Sequence, residues 1–329
     1  MITILISAPY IIPQLDRFQA IFEHYDMQLI VPQVSERLDE ATLMTYAGKF
    51  DGAICGDDQY TDRVLNACAP RLKVISKWGT GIDSIDKEVA EKLGIHVHRT
   101  PNAFTMPVAD TVLGYILAFA RRQPWMDKAM KSGKWEKIPG RSLGECTLGV
   151  VGVGNCGRAV LRRARGFGMK LLGNDIVEIA PDYVIETGVE MTDLTDLLKR
   201  SDYVSLNCDL NPSSYHLINA DALTGMKPDA VLINTARGPV VDESALINRL
   251  QRKELGGAAL DVFEVEPLPD DSPLKNLDNV MLAPHNANSS PMAWERVHWN
   301  TLQNLIIGLG LDPNKLKEIT MMKVIPDGE

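Results

Sequence analysis

Three charged or titratable residues stand just past three apolar runs in the second half of the chain. Arg237 follows the run 231–234 in NTARG, Glu266 follows 260–263 in DVFEVEP, and His285 follows 280–283 in APH. An imidazole changes charge near neutral pH, so His285 can take a proton from a hydroxyl or return one to a carbonyl. Glu266 can hold the other ring nitrogen, which fixes the tautomer and stabilises the protonated ring. Arg237 can clamp a carboxylate through two parallel N–H···O bonds and polarise a carbonyl oxygen beside it. Taken singly, a histidine after a proline is an ordinary loop residue, and a lone Glu or Arg an ordinary surface charge. Their recurrence at the ends of consecutive apolar runs makes them one candidate constellation.

The edge that would gather them is set by the stretch 147–175, TLGVVGVGNCGRAVLRRARGFGMKLLGND. Residues 148–153 read as a buried parallel strand, 158–167 as a helix and 170–174 as a second strand. Gly152, Gly154 and Gly157 between them are spaced G-x-G-x-x-G. Gly152 permits the sharp turn, Gly154 lets a pyrophosphate approach the backbone, and Gly157 lets helix and strand pack closely. Free N–H groups at the helix start favour the phosphates. Asp175 ends the second strand, about 20 residues on, where a carboxylate pairs with ribose hydroxyls. Ile176, Val177 and Glu178 follow it, so no cation offsets its repulsion of a 2′-phosphate, and the expected cofactor is NAD. The plain alternative, a strand-to-helix turn without a ligand, fits the complete motif less well. Parallel strands share a direction, so Arg237, Glu266 and His285 fall on the edge of the glycine loop. Hydride transfer between NAD and an alcohol or carbonyl needs the proton chemistry they offer. Asp261, at a strand end near the expected nicotinamide, can accept from its carboxamide.

A chain of 329 residues suits two domains, and its 45% hydrophobic content is ordinary for a globular protein. The net charge of −9 argues against a nucleic-acid surface. The opening MITILISAPY lacks a basic region and a cleavage site, so it reads as a first strand rather than a signal peptide. The most apolar helix candidate, 108–120, is too short and interrupted to span a bilayer. Five cysteines, Cys55, Cys68, Cys146, Cys156 and Cys208, include no C-x-x-C pair and suggest neither a disulfide framework nor a zinc site. These features together favour the cytoplasm, with no membrane, nucleic-acid or metal partner expected. Cys156 lies at the helix start inside the glycine loop, where the dipole lowers a thiol's pKa and invites oxidation; the simpler reading is a silent small side chain.

Residues 1–99 alternate strands (2–6, 27–31, 52–55, 73–76, 95–98) with helices (15–25, 41–47, 62–68 capped by Thr61, 87–93), the pattern of a parallel sheet with helices on both faces. After the fourth strand, Lys77-Trp78-Gly79-Thr80-Gly81 can turn several N–H groups toward one point, an anion site at a strand's carboxyl end, or can be a plain turn. Thr100-Pro101-Asn102 marks a boundary. The helix 108–122 is apolar enough to be buried between domains. The amphipathic stretch 125–138, which opens on Trp125 and closes on Ile138, has no place in either sheet and reads as an arm packing on a second subunit; an excursion within a monomer is the alternative. The second series has six strands, at 148–153, 170–174, 203–207, 230–234, 257–262 and 280–283. Thr192, Asn219 and Asp242 are the expected caps of helices 193–200, 220–225 and 243–250. Six such strands fit the doubly wound nucleotide-binding fold. The last helix, 292–308, would return to the first domain. The expected architecture is α/β, with two doubly wound parallel-sheet domains and a cleft between them. One domain is discontinuous (1–100 and 292–329) and binds substrate; the other (101–291) is a Rossmann NAD-binding domain.

The segments KWGTGIDSID, TPNAFTMPVAD, MKSGKWEK, GVVGVGNCGRAV with its later Asp175, NTARGPVVDESAL, GAALDVFEVEP and APH at His285 resemble the D-isomer-specific 2-hydroxyacid dehydrogenases. The resemblance covers nearly the whole chain, and several segments are similar to the D-3-phosphoglycerate dehydrogenase branch in particular. L-specific lactate and malate dehydrogenases carry the glycine loop near the N-terminus; here it is mid-chain. The resemblance implies a homodimer with a flavodoxin-like substrate domain, and NAD-dependent interconversion of a D-2-hydroxy acid and its 2-keto acid. It implies Arg237, Glu266 and His285 as the catalytic set. It implies that N–H groups around Gly79, Thr80 and Gly81, together with Arg237, hold the substrate carboxylate. Lys77 stands where the phosphoglycerate branch has a basic residue reaching the substrate phosphate. The implied cofactor contacts are Gly152, Gly154, Asn155, Cys156, Gly157, Asp175, Ile176, Cys208, Asp209, Thr235, Ala236, Arg237, Asp261 and His285.

Departures from the family pattern bear on the substrate. An apolar residue and then Gly usually follow the histidine, whereas this chain has Pro284-His285-Asn286-Ala287-Asn288. Ala287 adds a Cβ beside the expected nicotinamide, and Asn286 and Asn288 add polar groups to the pocket wall. Asp209 stands where Pro is frequent, and Asp110 where Glu is frequent. A chain ending at Glu329 is expected to lack the regulatory domain some phosphoglycerate dehydrogenases carry. A function of a different class is a dinucleotide-sensing binding protein, since the corepressor C-terminal binding proteins keep a similar trio. Failure to turn over any 2-keto acid, despite NADH binding, would single that class out.

Overall fold

The computed structural model describes residues 1–316. The chain forms two compact units, one of residues 1–103 with the returning segment from Pro291, the other of residues 104–290. The last part of the expected first domain, 317–329, lies outside the described residues.

The first unit is a five-stranded sheet of β1 (Ile2–Ile6), β2 (Met27–Ile30), β3 (Gly52–Cys55), β4 (Val74–Lys77) and β5 (His96–His98). Every pairing is parallel and the order is β2-β1-β3-β4-β5. The central strands β3 and β4 are buried on both faces. Leu5, Ala53, Cys55 and Ile75 point into one layer, with Leu43, Val64, Leu65 and Tyr60 from the covering elements. The opposite face takes the helix Pro291–Gly308, whose Thr301 carbonyl accepts from the Ser76 hydroxyl at 2.8 Å. Side chains such as Val297, Leu302, Leu305 and Ile306 are fully buried on it, each contributing roughly 1.5–3 kcal/mol of transfer free energy. The order reverses direction between β1 and β3, which makes a switch point at the carboxyl edge.

The second unit has seven parallel strands, one more than the sequence suggests: β6 (Thr147–Val151), β7 (Lys170–Asn174), β8 (Glu190–Met191), β9 (Tyr203–Leu206), β10 (Val231–Asn234), β11 (Gly257–Leu260) and β12 (Val280–Leu282). Their order is β12-β11-β10-β9-β6-β7-β8, the doubly wound arrangement with its switch point between β6 and β9. Leu148, Val150, Tyr203, Ile233 and Ala259 pack on one face against the helices Thr105–Arg121 and Asn155–Gly166. Val151, Val204, Leu206, Leu232 and Leu260 pack on the other against Leu197, Leu223, Leu246 and Leu250. The apolar helix Thr105–Arg121 thus belongs to this unit's core. The helix Gln123–Lys131 docks here too, since the Trp125 ring packs at a tilt against Phe119 and donates from Nε1 to the Asp278 carbonyl at 2.8 Å. The rest of the expected arm is without regular structure, and Trp135 is 86% exposed.

Two local expectations are corrected. The cap of helix Leu194–Arg200 is Asp193, whose carboxylate accepts from the Asp196 amide, while Thr192 donates from its hydroxyl to the Asp196 carboxylate. A helix at Pro181–Thr187 joins β7 to β8 where none is expected.

Candidate active site

The β6–helix turn carries the glycine loop. Gly152 has φ +88°, and a Cβ there would lie 2.6 Å from the Cys208 amide nitrogen of the neighbouring strand end. A Cβ on Gly157 would lie 2.0 Å from the Gly152 carbonyl oxygen, so helix and loop approach as closely as backbone allows. Gly154 faces open space. The helix begins at Asn155, so Asn155, Cys156 and Gly157 form its first turn and their amides point at the loop. Asp175 ties β7 to the loop: Oδ2 accepts from Val153 N at 2.6 Å and Oδ1 from Val177 N at 3.1 Å. Each oxygen keeps a lone pair for a ribose hydroxyl. Ile176 beyond it is exposed.

Two buried polar atoms at neighbouring strand ends, Asn207 Oδ1 after β9 and Thr235 Oγ1 after β10, have no hydrogen-bond partner among the described residues. Orphaned polar atoms of this kind ask for a ligand or water. With the open Gly154 face and the Asp175 carboxylate, they suit a dinucleotide laid across the switch point. Cys208 and Asp209 follow Asn207 on the same edge; burial pushes the Cys208 thiol up to about 11, and Asp209 is exposed. Burial also raises the Cys156 thiol, despite its place at the helix start. Desolvation is the largest cause, which favours the simpler reading of Cys156 as a silent small side chain.

The trio occupies the adjoining strand ends. The Asn234 side chain holds the turn after β10, accepting from Ala236 N at 3.1 Å and donating to the Arg237 carbonyl at 2.9 Å. Arg237 is half-buried there, and its guanidinium donates to the Ala236 carbonyl at 2.8 Å. Beyond β11, Glu266 folds back so that Oε1 accepts from Phe263 N at 2.9 Å. Its other oxygen, Oε2, lies 3.0 Å from His285 Nδ1. Both side chains keep a minority of their surface exposed, 21% and 23%. In the tautomer with a proton on Nδ1, that N–H faces Glu266. His285 itself has φ +49°, in the left-handed region. Asp261 holds it there: its carbonyl accepts from His285 N at 2.8 Å, and its carboxylate accepts from Asn286 N at 2.8 Å and Ala287 N at 2.9 Å. The sequence suggests a carboxamide contact for Asp261; the bonds the carboxylate makes are to the His285 loop. Burial pushes its carboxyl upward. Ala287 is buried and its carbonyl accepts from the Thr111 hydroxyl at 3.3 Å.

On the first unit's carboxyl edge, Gly79 has φ +134°, and its carbonyl accepts from both the amide and the hydroxyl of Thr100 at 2.8 Å. The amides of Gly79, Thr80 and Gly81 donate to no backbone acceptor among the described residues. Lys77 is almost wholly buried, with Nζ 2.9 Å from Asp57 Oδ1. Asp57 and Asp58, in GDDQY after β3, are polar residues that the sequence reading passes over. The available signal was a pair of acids ending an apolar strand.

Fold and site together define a nucleotide-binding oxidoreductase with a His–Glu pair at its strand ends. Residues 113–287 match the model of the family described as D-isomer specific 2-hydroxyacid dehydrogenase, NAD binding domain. A glyoxylate reductase of Thermofilum pendens is 42% identical over 283 residues, 84% of each chain. A D-3-phosphoglycerate dehydrogenase of Methanocaldococcus jannaschii is 41% identical over 229 residues, 68% of this chain and 43% of that one. The solved structure of a D-lactate dehydrogenase from Aquifex aeolicus, complexed with NAD and lactic acid, superposes with a TM-score of 0.84 at 29% identity, covering 97% of this chain and 98% of that one. The chain belongs to the D-isomer-specific 2-hydroxyacid dehydrogenase family and is an NAD-dependent oxidoreductase. No helix among the described residues is long and apolar enough to cross a membrane.

Proposed function

We propose that the protein reduces a short 2-keto acid to its D-2-hydroxy acid, with Arg237, Glu266 and His285 as the catalytic set. The observation that carries this reading is the 3.0 Å contact between His285 Nδ1 and Glu266 Oε2, on the strand edge that bears the glycine loop. Bound NADH supplies the hydride. His285 Nε2 gives the proton to the carbonyl oxygen, and Glu266 stabilises the imidazolium in the reverse direction. Arg237 polarises that oxygen and pairs with the substrate carboxylate. Within the first unit, the undonated amides of Gly79, Thr80 and Gly81 form a site for a carboxylate. Asp175 holds the ribose and selects NAD over NADP.

Relatives named glyoxylate reductase and hydroxypyruvate reductase favour the two- and three-carbon acids, while relatives named D-3-phosphoglycerate dehydrogenase stand for a phosphorylated alternative. We also infer a homodimer, built through the stretch 125–138, because Trp135 leaves a large apolar ring in solvent. The test of function is NADH oxidation with glyoxylate, hydroxypyruvate and pyruvate, with the configuration of lactate from pyruvate determined. Turnover yielding the D-isomer is expected. NADH binding without turnover of any of the three contradicts the reading.

A further inference from the structure

The first unit's strand order reverses between β1 and β3, and open α/β sheets take ligands outside the carboxyl ends at such a point. Ser7 follows β1, Asp57 and Asp58 follow β3, and Lys77 ends β4 beside Cys55 in register. The Lys77 side chain is 4% exposed and the Asp57 side chain 33%, so the member of the pair that meets solvent is the carboxylate. Asp58 is fully buried, with Oδ1 accepting from Leu38 N at 2.7 Å and Oδ2 from the Ser7 hydroxyl. Burial pushes its carboxyl up to about 6, and Lys77 acts against that rise. The Lys77 ammonium is thus paired with Asp57, and the buried acid Asp58 is the next residue in the chain. The lysine that the sequence suggests as a phosphate receptor is neutralised within its own unit.

We propose that Asp57, through its bond to Lys77, makes this a site for 2-keto acids with a small uncharged substituent, hydrogen or hydroxymethyl, and against phosphorylated ones. The inference rests on the function proposed above, in which the neighbouring residues Gly79, Thr80 and Gly81 hold the substrate carboxylate. A phosphate dianion would have to part the 2.9 Å pair and lie against carboxylates. A substrate hydroxyl, in contrast, can donate to Asp57 with the pair intact.

The test is a ratio of kcat/KM for NADH-dependent reduction of hydroxypyruvate and of 3-phosphohydroxypyruvate, in the full-length protein and in Asp57→Asn. We expect the unaltered protein to favour hydroxypyruvate by about tenfold or more, and the variant to move the ratio toward the phosphorylated acid by about as much. Equal or better use of the phosphorylated acid by the unaltered protein overturns the inference, and that measurement does not depend on the variant folding. A folded variant whose ratio does not move toward the phosphorylated acid overturns it as well. NADH oxidation with neither acid overturns this inference, and the reductase reading falls with it only where glyoxylate and pyruvate fail as well; turnover with the wrong ratio overturns the inference alone.

Discussion

The His285 amide donates to the Asp261 carbonyl at 2.8 Å, and the carboxylate of that aspartate takes the next two amides of the chain. One buried acid thus holds the backbone around His285, which itself is in the left-handed region. Asp261→Asn would turn an amide NH2 toward one of those N–H donors. We expect a stability loss of about 1–3 kcal/mol and a fall in kcat of about tenfold or more, from a misplaced ring rather than a missing one. Chemical unfolding and steady-state kinetics on the same preparation check both parts.

Asp175 accepts from Val153 N and Val177 N, and in the function proposed above its remaining lone pairs hold the ribose. Asp175→Ala removes both the clamp on the glycine loop and the charge that repels a 2′-phosphate. The expected outcome is a 10- to 100-fold rise in the NADH Kd, of the order set by losing charge-assisted hydrogen bonds, with NADPH weakened much less. Fluorescence titration with the two cofactors measures it.

Asp58 gives the first unit a pH dependence of defined sign. Its value in the folded chain, about 6, lies above the ordinary 3.8, so the folded state holds this proton more tightly than the unfolded state. The associated stability is fully present below the unfolded value and is lost as pH rises through about 6. Asp58→Asn mimics the protonated acid at every pH. Relative to the unaltered protein, the variant should gain up to roughly 3 kcal/mol between about pH 4 and about pH 7. Urea unfolding at the two ends of that window would show it; a constant difference would not fit.

Trp135 tests the dimer. An aromatic ring this exposed in the single chain, if it is an anchor at a subunit contact, contributes about 2 kcal/mol or more. Trp135→Ala should then raise the dimer dissociation constant by about 30-fold, read by sedimentation at micromolar concentrations. An unchanged dimer would remove the arm from the contact.

Strong periodicity made most of the second unit legible from the sequence: β7 runs from Lys170 to Asn174 as its apolar residues require. What stayed hidden had weak local signals. β8 is two residues long, too short for any alternation to show. The helix after β6 starts at Asn155 rather than at 158, because its first turn is written in loop-forming residues. Thr192 and Asp193 are both competent caps, and only backbone geometry decides between them. The placement of Arg237, Glu266 and His285 was legible because each follows an apolar strand on a shared edge. The setting of Lys77 was not: its partner Asp57 lies 20 positions back, in the loop after another strand, and only the fold brings the two charges together.

The central claim, that His285 is the proton donor positioned by Glu266, is tested most directly by His285→Ala with NADH affinity measured alongside turnover. The account predicts a fall in kcat of about a hundredfold or more with an NADH Kd within a few fold of the unaltered protein. Near-normal turnover in that variant would contradict it.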